Sequence, residues 1–127
     1  MEIGVYRWES ESFQFSLLAN QSPIKINKLE KAIGGIDSLK NAVGIMVICA
    51  DFDKVAKKYS NKAYPLVLLE AGHVIQNAYL YCAERNLGFV EILGFDCQEV
   101  ANIIGNNCKS LHPVVIGIFG SKEVDNN

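Results

Sequence analysis

Pro65-Leu66-Val67-Leu68-Leu69-Glu70-Ala71-Gly72-His73-Val74-Ile75-Gln76-Asn77-Ala78-Tyr79-Leu80-Tyr81-Cys82-Ala83-Glu84-Arg85-Asn86 is the stretch on which the fold turns. It reads as one long helix from Pro65 to about Asn86. Proline suits a first helical position, where its missing N–H has no partner to lose, and Gly88 supplies a left-handed end. Apolar residues such as Leu66, Leu69, Val74, Leu80 and Leu87 wrap nearly the whole circumference, so burial on most sides is expected. Within that surround Glu70, His73 and Asn77 share one face, with Gln76 beside them. A buried charge without a partner is costly, so these groups must meet polar atoms from elsewhere. One reading has them satisfy backbone groups in a helix-to-helix interface. The other has them line a cofactor or substrate pocket.

Outward from this helix the segments are short. Upstream, Val43 to Ala50 is apolar on both faces and rich in β-branched residues, which reads as a buried central strand. Asp51 caps a helical turn reaching Lys57 or Lys58. Before them, Gly4 to Trp8 and Phe13 to Leu17 alternate around a polar turn, a hairpin signal ended by Ser22-Pro23. Asn27 caps a short helix through Ile33 that Gly34-Gly35 stops, and a second runs from Asp37 to Asn41. Downstream, Phe89 to Leu93 is a strand. Asp96 and Glu99 open a helix in the manner of a capping box, Gly105 ends it, and Val114 to Phe119 is another buried strand. One α+β domain over residues 1–127 follows, without repeats or linkers.

At 127 residues the chain can bury a real core, and it is half hydrophobic with only 20% charged residues. A net charge of -2 argues against a nucleic-acid partner, which needs clustered Lys and Arg. The longest apolar runs are too short to span a bilayer, and no leader pattern opens the chain. A cytoplasmic protein, with no membrane partner, is expected. The four cysteines, Cys49, Cys82, Cys97 and Cys108, form no C-x-x-C pair and no cluster at metal-ligand spacing. They read as reduced and structural, with no metal site.

At the long helix the sequence resembles a known family. Lys57-Lys58-Tyr59-Ser60-Asn61-Lys62-Ala63-Tyr64, running into Leu68-Leu69-Glu70-Ala71-Gly72-His73-Val74-Ile75-Gln76-Asn77, is similar to K-Y-G-x-R-x-Y followed by L-L-E-A-G-H-x-x-Q-N. That is the pattern of SagB-type (McbC-like) azoline dehydrogenases of the nitroreductase superfamily. Asn86-Leu87-Gly88 and Ile92-Leu93-Gly94-Phe95-Asp96 resemble the family's L-G-L-G and I-G-G-F-D segments. Gly4 to Trp8 is similar to its G-x-Y-R-Y hairpin, and Pro113 to Gly117 to its L-P-V-G strand. The resemblance covers nearly the whole chain in order.

The resemblance implies a partial nitroreductase-like fold: a mixed or antiparallel sheet with a long central helix, completed by a partner chain. It implies FMN as cofactor and the oxidation of azolines in a peptide to thiazoles or oxazoles. A proton leaves the ring carbon while a hydride goes to the flavin. The K-Y pair needed for this step falls on Lys58 and Tyr59. A lysine serves as base only where burial or a nearby cation disfavours its ammonium form; without the motif, Lys58 would read as a solvated helix lysine. Leu93 and Gly94 fall where backbone amides face the flavin edge, which would stabilise the reduced ring. The family has Gly at Leu93, and Gly, Arg and Arg at Ser60, Lys62 and Pro65. Lysine does not reproduce the bidentate geometry of a guanidinium.

The family's R-x-S-x-R helix for the FMN phosphate and its P-S-A-G-A-L-Y-P segment along the flavin have no counterpart here, which marks the chain as a carboxy-terminal half domain. Lys122 is the one local substitute for phosphate binding. Three functions stand open. The chain is one subunit of a split FMN-dependent azoline dehydrogenase, a homo- or hetero-oligomer in which another chain supplies the missing half and a modified peptide is substrate. Or it is a non-catalytic scaffold or peptide-binding subunit of an azole-forming complex. Or it is the small subunit of a cyclodipeptide-oxidase-type flavin enzyme. A gene fragment is the remaining alternative.

Overall fold

The computed structural model describes residues 4–20, 24–35, 39–105 and 111–122. Ser22-Pro23, Cys108 and the start of the short helix expected from Asp37 lie outside these residues. The elements run β1 (Gly4–Glu9), β2 (Gln14–Asn20), α1 (Ile24–Ala32), β3 (Ala42–Ala50), α2 (Phe52–Tyr59), a 3-10 turn (Ser60–Lys62), α3 (Ala63–Glu84), β4 (Leu87–Ile92), α4 (Cys97–Ile103) and β5 (His112–Ser121). The α+β class, the antiparallel sheet and the long helix are as the sequence implies.

Strands β3, β5 and β4 form one sheet in that order, both outer strands antiparallel to β5. Among the described residues β5 is therefore the central strand, and the expectation of a central β3 is corrected. An apolar run on both faces signals layers above and below, but it does not say which edge finds a neighbour. Those layers are present. Ile45, Val47, Ile92, Ile116 and Ile118 face Leu29 and Ile33 of the α1 region and Val100 and Ile103 of α4. Met46, Ile48, Phe89 and Val115 face Ala71, Ile75 and Tyr79 of α3. Gly117 on this second face leaves room for the Phe89 ring, whose Cζ would lie 2.5 Å from an added Cβ. β1 and β2 pair separately as a hairpin, with Trp8 edge-on to Phe13 and Phe15 at its tip.

Capping chemistry sets several boundaries. Asp51 accepts from the Lys54 amide at 2.9 Å and starts α2 directly after β3. Asp96 accepts from the Glu99 amide at 2.9 Å, while its own amide donates to the Ala32 carbonyl at 2.8 Å. The second half of a capping box is thus replaced by a tie between α4 and the end of α1. α1 begins at Ile24 rather than at an Asn27 cap, and Gly34 at φ 83° follows it as expected.

The long helix departs from expectation in three respects. It starts at Ala63, so Pro65 is its third residue, still within the first turn whose amides have no helical partner. Its left-handed stop is Asn86 at φ 56°, and Gly88 lies inside β4. Asparagine tolerates that conformation better than most residues. Most importantly, α3 buries one stripe, Ala63, Val67, Ala71, Ile75 and Cys82, against the sheet. Leu69 and Leu80 are 59% and 60% exposed, and Glu70, His73, Gln76 and Asn77 are exposed as well. The all-round burial inferred from composition is absent within this chain, because one sheet covers only one side of a helix.

The turn between α2 and α3 carries backbone strain. Ser60 adopts φ 52° and ψ -129°, the glycine-favoured conformation of the first central residue of a type II′ turn. A side chain there costs on the order of 1–3 kcal/mol, against about 0.5–1 kcal/mol for the extra freedom glycine loses on folding. Ser60→Gly is expected to stabilise the chain by about 1 kcal/mol, read as a higher urea midpoint at unchanged slope. A lower midpoint would show that serine is accommodated without strain.

Candidate functional site

Four pieces of chain converge at the end of the sheet where β3 and β4 finish and β5 begins. The Asp51 cap turns the chain so that Phe52, the first residue of α2, lies over the strand ends. Tyr64 and Leu68 come from the start of α3, Leu93, Phe95 and Cys97 from the β4–α4 link, and His112, Pro113 and Val114 from the head of β5. Together they line an open cleft of about 260 Å³. Phe52 stacks on Tyr64 with ring centroids 5.8 Å apart and meets the His112 ring edge-on at 5.8 Å. Among the described lining residues the polar side-chain groups are the Tyr64 hydroxyl, the His112 imidazole and the Cys97 thiol.

The residues singled out in the sequence divide between this cleft and the helix hairpin beside it. Leu93 lines the cleft with its side chain 69% exposed. Gly94, next in sequence, has open space where a Cβ would stand, and its amide donates to no backbone carbonyl among the described residues. Lys58 and Tyr59 do not line the cleft. They occupy the last turn of α2, both exposed, with the Lys58 ammonium 5.0 Å from the centre of the Tyr59 ring. The distance from Phe52 to Lys58 along the helix axis is about 9 Å at 1.5 Å per residue. The pair thus sits at the far end of the helix whose near end walls the cleft, just before the strained Ser60 turn.

Lys122 does not serve the cleft. Its ammonium donates to the Asn86 side-chain carbonyl at 3.0 Å, beyond the far end of β5 from His112. That end lies about 30 Å from His112 at the rise of a strand. Glu70, His73, Gln76 and Asn77 do not line the cleft either. Among the described residues, no group of three or more His, Cys, Asp or Glu side chains could hold a metal ion, and no helix is long and apolar enough to cross a membrane.

The sequence reading missed the Phe52–Tyr64–His112 aromatic wall and the contact between Cys97 and His112. The Cys97 sulfur lies 3.7 Å from Nδ1 and 3.6 Å from Nε2 of His112. Cys97 is a half-buried cysteine that lines the cleft. Fifteen positions separate it from His112, so no local spacing announces the pair. Only the return of β5 alongside β3 and β4 brings them together.

Comparison with known proteins adds the following. The nitroreductase family profile matches residues 16–121. The chain is 24% identical over 106 residues to MJ1384 of Methanocaldococcus jannaschii, a protein named as a nitroreductase; the match covers 82% of this chain and 52% of that protein. It is 28% identical over 80 residues to the microcin B17-processing protein McbC of Escherichia coli, covering 63% of this chain and 29% of McbC. The chain thus spans about half the length of the first relative and under a third of the second. In structure it is similar to a chain of the E. coli microcin synthetase McbBCD complex with truncated pro-MccB17 bound. The TM-score is 0.84 at 23% identity, over 98% of this chain and 47% of that one. At that identity the likeness is one of fold.

Proposed function

The chain belongs to the nitroreductase family, and from that premise we propose that it is one part of an FMN-dependent azoline dehydrogenase acting on a modified peptide. The observation that carries this reading is the cleft at Leu93, with aromatic and aliphatic walls, the open Gly94 backbone beside it, and neither Lys nor Arg among its described lining residues. A flat, largely apolar ring suits such walls. The FMN phosphate does not, because it calls for cationic or clustered amide donors. On this reading residues 1–127 are one half of a nitroreductase-like domain, and another chain or segment holds the phosphate.

When bound, FMN supplies the acceptor for the hydride leaving the azoline ring. The chain's own residues take the other tasks. The backbone at Leu93 and Gly94 would border the ring edge and donate to it, and Phe52 and Tyr64 would exclude water from the adjoining wall. Lys58 accepts the proton from the azoline carbon, and the Tyr59 hydroxyl orients Lys58 or the substrate. Because Lys58 is exposed in this chain, the desolvation that turns a lysine into a base comes from the covering partner or the peptide. Support for a peptide substrate and a partner comes from McbC, named for processing microcin B17, and from the McbBCD complex with its bound truncated pro-MccB17.

A second reading, a non-catalytic scaffold or peptide-binding subunit, is favoured by one observation. The outward side of α3 exposes Leu69, Val74, Leu80 and Tyr81 among Glu70, His73, Gln76 and Asn77, a mixed surface with apolar anchors suited to a partner. Both readings expect assembly through this face, so flavin binding separates them. Purified alone, the chain is expected as a dimer or larger species by light scattering, colourless or with sub-stoichiometric FMN. Co-expression with a chain carrying an R-x-S-x-R half is expected to give a stoichiometric flavin spectrum. A monomer carrying full flavin by itself would overturn the proposal, and a complex that stays colourless would leave the scaffold reading.

A further inference from the structure

We propose that Cys97 and His112 form a thiol modification site, in which Cys97 takes a small disulfide and carries the adduct inside the cleft. Three observations meet here. The Cys97 sulfur lies 3.7 Å from Nδ1 and 3.6 Å from Nε2 of His112, with the Pro113 carbonyl 4.0 Å away, so the imidazole lies within reach to take the thiol proton. Both residues line an open cleft of about 260 Å³, which gives a small molecule access to the sulfur. The neighbouring walls are Phe52, Tyr64, Leu93 and Phe95, apolar surfaces that hold an aromatic or aliphatic group attached to that sulfur.

An imidazole that can take the thiol proton makes the sulfur a nucleophile. The reaction is thiol–disulfide exchange. The Cys97 proton passes to a ring nitrogen of His112. The sulfur attacks one sulfur of the small disulfide, the S–S bond breaks, and the other half departs as thiolate with the electron pair. One disulfide is consumed and one mixed disulfide forms, so no further oxidant is required. Of the other described cysteines, Cys82 is buried in α3, and Cys49, half-buried like Cys97, stands within β3. Neither lines the cleft. The same cleft is the surface proposed for the flavin ring, so adduct and ring compete for it and the exchange belongs to the chain without bound flavin.

The test uses 5,5′-dithiobis(2-nitrobenzoate) on the full native chain, with release of thionitrobenzoate giving the rate and peptide mapping assigning the modified residue. Cys97 is expected to react at least about tenfold faster than Cys49 or Cys82. Cys97→Ser is expected to remove the fast phase, and His112→Gln to slow it by at least about tenfold at neutral pH. The comparison among cysteines in the wild-type chain needs no variant, so poor folding of a mutant leaves it intact. Cys97 reacting no faster than Cys49 overturns the proposal, as does a fast phase unchanged in folded His112→Gln.

Discussion

On the proposed reading, Lys58→Ala in the assembled protein is expected to lower azoline oxidation by about 10²–10⁴-fold, the usual contribution of general acid–base catalysis, while flavin content stays near wild type. The separation follows from position. Lys58 stands at the far end of α2 from the cleft wall, exposed and beside the Tyr59 ring. Its removal therefore strips no group from the surface proposed to hold the flavin ring. A base acts on the transition state, so the loss belongs in kcat rather than in cofactor affinity. Tyr59→Phe keeps the ring and its contact with the ammonium and removes only the hydroxyl, so its loss is the smaller if that hydroxyl merely orients Lys58. The scaffold reading expects the reverse. There Lys58→Ala is silent, and a change on the outward face of α3, such as His73→Leu, weakens the complex. Azole formation and flavin content measured on the same preparations decide between them. Wild-type turnover in Lys58→Ala would remove the residue from the chemistry.

Ile116→Ala is expected to cost about 2–5 kcal/mol, a large share of the roughly 5–15 kcal/mol that holds a domain folded. Ile116 is fully buried on the central strand, opposite Val47 of β3 on one side and Ile92 of β4 on the other. It faces the layer formed by α1 and α4, so the lost methyl groups leave a void bounded by three strands and two helices. Ile116→Val removes one methylene at the same point and should cost about 0.5–1.5 kcal/mol. Val43→Ala, at a side chain 77% exposed, should stay within about 0.5 kcal/mol of wild type. Urea unfolding at constant slope reads all three. An Ile116→Ala cost below that of Ile116→Val would show that the core is not centred on β5.

The candidate site was legible only where its chemistry is local. Leu93 and Gly94 are singled out by the family resemblance rather than by spacing, and the end of β4 at Ile92 sets Leu93 at the cleft. The helical turn expected to reach Lys57 or Lys58 extends to Tyr59, and the separation of the pair from the cleft along α2 depends on where Asp51 starts that helix. Phe52, Tyr64 and His112 assemble from three separate elements, and no spacing in the sequence relates them. The Cys97–His112 contact is of the same kind.

Sequence alone determined what rests on neighbours along the chain. The hairpin, the Asp51 and Asp96 caps, the Gly105 stop, the long helix and the two-faced apolarity of β5 all follow from interactions within a few residues. Tertiary structure decided the rest. Val43 to Ala50 and Val114 to Phe119 are equally apolar, yet only one can lie between two neighbours. Backbone pairing rather than hydropathy gave that place to β5. The apolar circumference of α3 predicted burial on every side, but a helix packed on one sheet buries one stripe. Composition records how much surface a residue would hide, and only the packed layers fix how much of it this chain hides by itself.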